Sequence, residues 1–236
     1  MIARIARAAL VAGALAGVLA WAAHQWRAVP VIIQAEAYEH TAPSPAPHPA
    51  TAPSHPRAQP NGHDDKGGDE GWRRHARTFL STIVTGIGYG FLLVGAIVLT
   101  GRPVNARAGA LWGAAGFVAF AAAPALGLPP ELPGMAAAEL GPRQAWWLAT
   151  VAASAGGIAL IVFPRARLAK IAGAALMVLP HLVGAPRVPP APAYLPAELA
   201  AEFAVVSLLS AAAFWVALGA LAGYLLAKSE SSPAEA

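Results

Sequence analysis

Cysteine is absent from the 236-residue chain. That excludes disulfides, thiolate metal sites and iron–sulfur ligation, leaving imidazole, carboxylate and carbonyl oxygen as metal ligands. Charge is scarce too: 12% of residues are charged, against about 25% in soluble domains. The apolar fraction is 57% and the mean hydropathy is +0.53, so the chain reads as an all-α integral membrane protein. The net charge of +4 does not point to nucleic acid, because the arginines are scattered at the ends of apolar runs rather than set in a stripe with aromatics. Enzyme motifs are missing as well. There is no Walker loop, no HExxH and no Ser/His/Asp pattern, and the lone GxG at Gly86–Gly88 lies inside an apolar run. The expectation is a non-enzyme with no permanently bound cofactor.

What is present is a series of apolar runs. Ile5 to Ala23 follows Arg4 and Arg7 and carries Gly13 and Gly17 at GxxxG spacing. A basic start, an apolar middle and Ala20-Trp21-Ala22 also fit a cleaved signal. Thr78 to Thr100 holds Gly86 and Gly90, Ala108 to Leu126 holds Gly109, Gly113 and Gly116, and Gln144 to Phe163 is a fourth run. Ile171 to Val183 is short and contains Pro180-His181; Ala197 to Leu226 contains Gly219 and Gly223. These runs predict about six transmembrane helices, or five if the first is cleaved or the short fifth does not span. The expected divisions are a first helix over 1–26, a loop over 27–77, a five-helix bundle over 78–228 and a tail over 229–236.

The loop is different in kind. It holds seven prolines from Pro43 to Pro60 and five of the seven histidines, His40, His48, His55, His63 and His75. Such a tract favours extended, solvated backbone and cannot build a core. Its bland reading is a tether. Its functional reading is a collector of divalent cations, with Glu36, Glu39 and His40 beside the first span and Asp64, Asp65, Asp69 and Glu70 before the second.

Basic residues set the expected topology. Arg4 and Arg7, then Arg102 and Arg107, then Arg165, Arg167 and Lys170, then Lys228 mark alternate connections, whereas the loops 127–143 and 184–199 carry only Arg143 and Arg187. The positive-inside rule then puts both termini in the cytoplasm, with Arg73, Arg74 and Arg77 dissenting. All twelve acidic residues except Glu230 and Glu235 fall on the outer side.

Three of those outer positions carry the sharpest metal expectation. Glu131 stands between Pro130 and Leu132-Pro133-Gly134, His181 follows a proline that frees a carbonyl, and Glu198 opens the last helix. Glu139 is a further metal candidate, although its place one turn from Arg143 favours pairing with it; a plain surface role, pairing Arg143 included, is the bland reading of Glu131, and Glu202 acts at the helix start. The pair Trp146–Trp147 reads as an interfacial anchor and His24 as reaching headgroup water. A non-transporting scaffold whose acidic loops bind a protein is the rival reading.

Several of these pieces together resemble a known family. Ala35-Glu36-Ala37-Tyr38-Glu39, Thr85-Gly86-Ile87-Gly88-Tyr89-Gly90, Leu128-Pro129-Pro130-Glu131-Leu132-Pro133-Gly134-Met135, Arg143-Gln144-Ala145-Trp146-Trp147, Pro180-His181-Leu182-Val183-Gly184-Ala185-Pro186 and Pro196-Ala197-Glu198-Leu199 are similar to the cobalt transporter subunit family CbtA. The resemblance covers most of the chain outside 41–70. It implies a permease of the cytoplasmic (inner) membrane that takes up Co2+ for cobalamin synthesis, with a small single-span, histidine-bearing companion subunit. Ni2+ remains an alternative ion, because it accepts the same ligands. A homo-oligomer is an open partner expectation.

Overall fold

Lipid offers the backbone no hydrogen bonds, so each apolar run closes its own into a helix. The computed structural model describes residues 2–39, 67–188 and 195–231, and among them no strand occurs. In chain order the helices are α1 (Ile2–Ala23), α2 (Val29–Glu39), α3 (Gly67–Leu99), α4 (Ala106–Phe117), α5 (Ala123–Ala125), α6 (Leu140–Val162), α7 (Arg167–Val183) and α8 (Ala197–Ser231). π-turns at His24–Ala28 and Val118–Ala122 join α1 to α2 and α4 to α5. Among the described residues five helices are long and apolar enough to cross a membrane: Ile2–Tyr38, His75–Leu99, Ala106–Ala125, Leu140–Val162 and Ala197–Ser229. The sixth, α7, has 17 residues and spans only about 26 Å, at the lower limit for crossing. The all-α membrane class is as expected, and the count of five or six turns on this one helix.

The helices meet where glycine lets them. A methyl group on Gly13 would lie 2.6 Å from the Gly86 carbonyl oxygen, and one on Gly17 would lie 2.8 Å from Cα of Ile83, so α1 and α3 touch backbone to backbone. Gly219 of α8 faces Gly113 of α4 in the same way, at 2.6 Å from its nitrogen, and Gly157 of α6 faces Gly173 of α7. All three pairs run antiparallel. A core of Ala8, Ala12, Ala16, Val94, Ile97, Trp215 and Leu218 fills the space between α1, α3 and α8.

The helix ends sort by charge. Arg4 Nη1 donates to the Ser229 carbonyl at 2.8 Å, and the Arg102 guanidinium lies 5.0 Å over the Phe163 ring. The start of α1, the 101–104 turn and the ends of α6 and α8 therefore share one, basic end. At the opposite end Val31, Ala35, Leu132 and Leu199 form a buried cluster. Glu36, Glu131, Glu139, Glu198 and Glu202 belong to that acidic end.

One backbone expectation is overturned. Residues 27–39 are helical, not an extended tract, and α3 already begins at Gly67. Pro30 has no N–H to give, and a π-turn leads into it: Val29 N–H reaches back five residues to His24 O. The helix continues because Ala28, Val31 and Ala35 repeat at helical spacing and are buried. His40, His48, His55 and His63 lie outside the described residues. His75 lies within α3, where its Nδ1 is 2.6 Å from Gln25 Nε2.

The glycine seams are testable. Gly13→Val puts branched carbons against the α3 backbone and should cost about 1–3 kcal/mol of stability by overpacking, read as a lower melting temperature in detergent. Gly88→Val meets open space and should leave it nearly unchanged. Equal effects would mean the seam does not hold the pair.

Candidate functional site

At the acidic end a cavity of about 420 Å³ opens between the second π-turn, the 128–131 loop, α6 and α8. Its apolar wall includes Phe120, Pro124, Pro130 and Trp147, and its polar groups are Glu131, Arg143, Gln144 and Ser207. The π-turn shapes it. Ala123 N–H bonds Val118 O, five residues back, and the next residue, Pro124, has no N–H. The Phe120 carbonyl thereby loses the donor that a regular helix would give it.

Inside this cavity Arg143 Nη2 is 3.0 Å from Glu131 Oε2, with side-chain exposures of 32% and 16%. Spacing favoured Glu139 as the partner of Arg143, with Glu131 the alternative, and the Glu139 side-chain pairing is not formed. Glu139 sits at the N-cap of α6 with extended backbone (ψ 139), and its contact with Arg143 is through the main chain, Arg143 N–H to Glu139 O at 3.2 Å. Helical i, i+4 spacing brings two side chains together only when both residues lie within the helix. Glu131 takes the guanidinium instead, because the Leu132–Met135 turn with Gly134 at φ 81 folds the loop back over α6.

The tryptophan pair is also placed differently from expectation. Trp146 is 8% exposed, buried rather than interfacial. Its Nε1 donates to the Pro180 carbonyl at 3.2 Å, and its ring packs edge-on to His181 at 5.7 Å between centroids. The same Pro180 oxygen accepts from Gly184 N, at 3.0 Å, where α7 ends with φ 88. A buried indole needs an acceptor and a helix end has spare carbonyls, so the two satisfy each other. Gly127 is tied in as well, since a methyl there would meet the Trp146 ring at 2.5 Å. Trp147 is half-buried and lines the cavity, 6.1 Å from the Phe120 ring.

The other expected ligands stand apart from this cavity. His181 is half-buried beside Trp146, Glu198 is exposed at the start of α8, and Glu36 is exposed on α2. Glu39 closes α2. Among the described residues no three of His, Asp and Glu lie together as a ready metal site. Sequence reasoning missed the cavity groups Arg143, Gln144 and Ser207. The signal for Arg143 was its lone basic charge in an otherwise acidic loop.

The pair can be weighed by a double-mutant cycle in detergent-solubilised protein. Glu131→Gln and Arg143→Gln should each lower the melting temperature, and together by less than their sum, with a coupling of roughly 0.5–3 kcal/mol. Glu139→Gln should show no coupling to Arg143. Coupling through Glu139 and not Glu131 would contradict the observed pairing.

Comparison with known proteins adds one finding. No curated protein and no solved structure matches the chain. A family profile described as "Probable cobalt transporter subunit (CbtA)" matches residues 2–227. Nearly the whole chain is covered, its termini excepted, and the protein belongs to the CbtA family of cobalt transporter subunits.

Proposed function

We propose that the chain is the permease subunit through which a divalent transition metal, Co2+ on the family's description, enters the cell for cobalamin synthesis. The observation that carries this reading is the Glu131 carboxylate, held inside an outward cavity at the end of the bundle where the acids gather. Arg143 is then a tethered cation that occupies the carboxylate until a metal ion displaces it. Gln144 and Ser207 supply further oxygen among the residues that line the same cavity.

His181 and Glu198, with Glu139, are stations on the same face rather than parts of one preformed chelate. Their imidazole and carboxylate groups favour a borderline ion over magnesium or calcium and serve Ni2+ equally. Glu36, Glu39, His40 and the tract histidines His48, His55 and His63 raise the local metal concentration ahead of them. The membrane potential supplies about 4.6 kcal/mol per 100 mV for a dication moving inward. As a subunit, the chain works with a single-span, histidine-bearing companion in the cytoplasmic membrane, both termini facing the cytoplasm.

Radioactive cobalt uptake by cells expressing the chain with its companion tests the reading. Glu131→Gln should lower uptake by at least roughly tenfold and His181→Ala should also reduce it. Arg143→Gln should preserve uptake or raise it at scarce metal. Deleting residues 41–70 should matter only when metal is scarce. Uptake by Glu131→Gln at the wild-type rate would remove Glu131 from the path, and no uptake by the unaltered chain would leave the scaffold reading.

Topology has its own test, made clean by the absence of cysteine. A cysteine at Asn61 should react with an impermeant maleimide in intact cells, and one at Arg167 only after the membrane is opened. The opposite pattern overturns the inward direction.

A further inference from the structure

The basic end holds a second cavity, of about 360 Å³, between the start of α1, the 101–104 turn and the ends of α3 and α8. Its walls are apolar, with Ile5, Ile97, Val104 and Leu226, and two guanidinium groups, Arg4 and Arg102, complete it. Both arginines are held in place. Arg4 spends one N–H on the Ser229 carbonyl, at 2.8 Å, and Arg102 lies over Phe163. A guanidinium has five N–H donors in a planar fork, so each retains donors for an anion.

This combination has a definite chemistry. Paired guanidinium groups suit a phosphate, which takes parallel N–H donors on its oxygens. The apolar walls have no use for an inorganic anion but suit an alkyl chain. The cavity also lies at the ends of helices long and apolar enough to cross a membrane. Basic pockets between helix ends on the cytoplasmic side are a recurrent setting for anionic headgroups. We propose that this cavity is a site for an anionic phospholipid, whose phosphate is held by Arg4 and Arg102 and whose chain lies along Ile5, Ile97 and Leu226. Such a lipid latches the first helix, the α3–α4 turn and the last helix together. The inference stands apart from the cation reading, because nothing in this cavity belongs to the Glu131 site.

Thermal unfolding of the purified full chain in a neutral detergent tests it, with phosphatidylglycerol, phosphatidylcholine or glycerol 3-phosphate added. Phosphatidylglycerol should raise the melting temperature, whereas the zwitterionic lipid and the chainless phosphate should not. Arg4→Gln with Arg102→Gln should weaken the phosphatidylglycerol response by roughly thirtyfold in apparent affinity. Arg165→Gln with Lys170→Gln, at the same end but outside the cavity, should keep it. Should the Gln pair fail to fold, Arg4→Lys with Arg102→Lys keeps the charge and loses the fork, and should give an intermediate response. An equal shift from glycerol 3-phosphate would overturn the lipid assignment. An undiminished response in the Gln or Lys pair, or equal losses in the Arg165/Lys170 control, would overturn the site.

Discussion

Everything in this bundle depends on how closely two helix backbones can approach in a medium where burying apolar side chains gains nothing. Lipid tails are as apolar as leucine, so helices associate through van der Waals packing of small residues. The three antiparallel pairs, α1 with α3, α4 with α8, and α6 with α7, each cross at glycines that admit no side chain. The third pair stands off from the other two. Among the described residues α7 packs on α6, and α6 meets the rest along α4, the second π-turn and α5. That offset leaves the gap that becomes the Glu131 cavity. Deeper packing of α6 on α8 would close it.

The two π-turns obey one rule. Each ends on the residue before a proline, Val29 before Pro30 and Ala123 before Pro124, and each closes with a bond five residues back. Proline removes a donor and crowds the carbonyl four residues earlier, and a wider turn relieves the crowding without breaking the helix. The first π-turn lets the opening helix run on to the Val31/Ala35 cluster against Leu132 and Leu199. The second brings Phe120 to the cavity wall. Prolines that read as stops are here the means of shaping long helices.

This is also where the sequence was legible and where it was not. Apolar length and GxxxG spacing marked every long helix and the seams of α1, α3, α4 and α8, because both signals are local. The sorting of charges between the two ends was visible for the same reason. The continuation past Pro30 was hidden, since a proline looks alike whether a helix ends or widens. The sequence left the partner of Arg143 open between Glu131 and Glu139, because the choice depends on the 128–135 loop folding back, a long-range fact. Trp146 was misplaced by a sound average rule; its acceptor, the Pro180 carbonyl, lies 34 residues away.

On the proposed reading, in which Glu131 is a station for the ion, its pairing with Arg143 bears on how such a site avoids holding the ion too tightly. A carboxylate in a largely apolar cavity cannot stand alone, because an uncompensated charge there is costly. Paired with Arg143 the site is neutral. Exchange of the guanidinium for a dication leaves a net positive site beside a displaced arginine, which is a poor resting state. Binding strong enough to admit an ion yet weak enough to release it is what conduction requires. A site of one carboxylate, neutral oxygens and a returning guanidinium meets that condition, whereas a cage of three carboxylates would not.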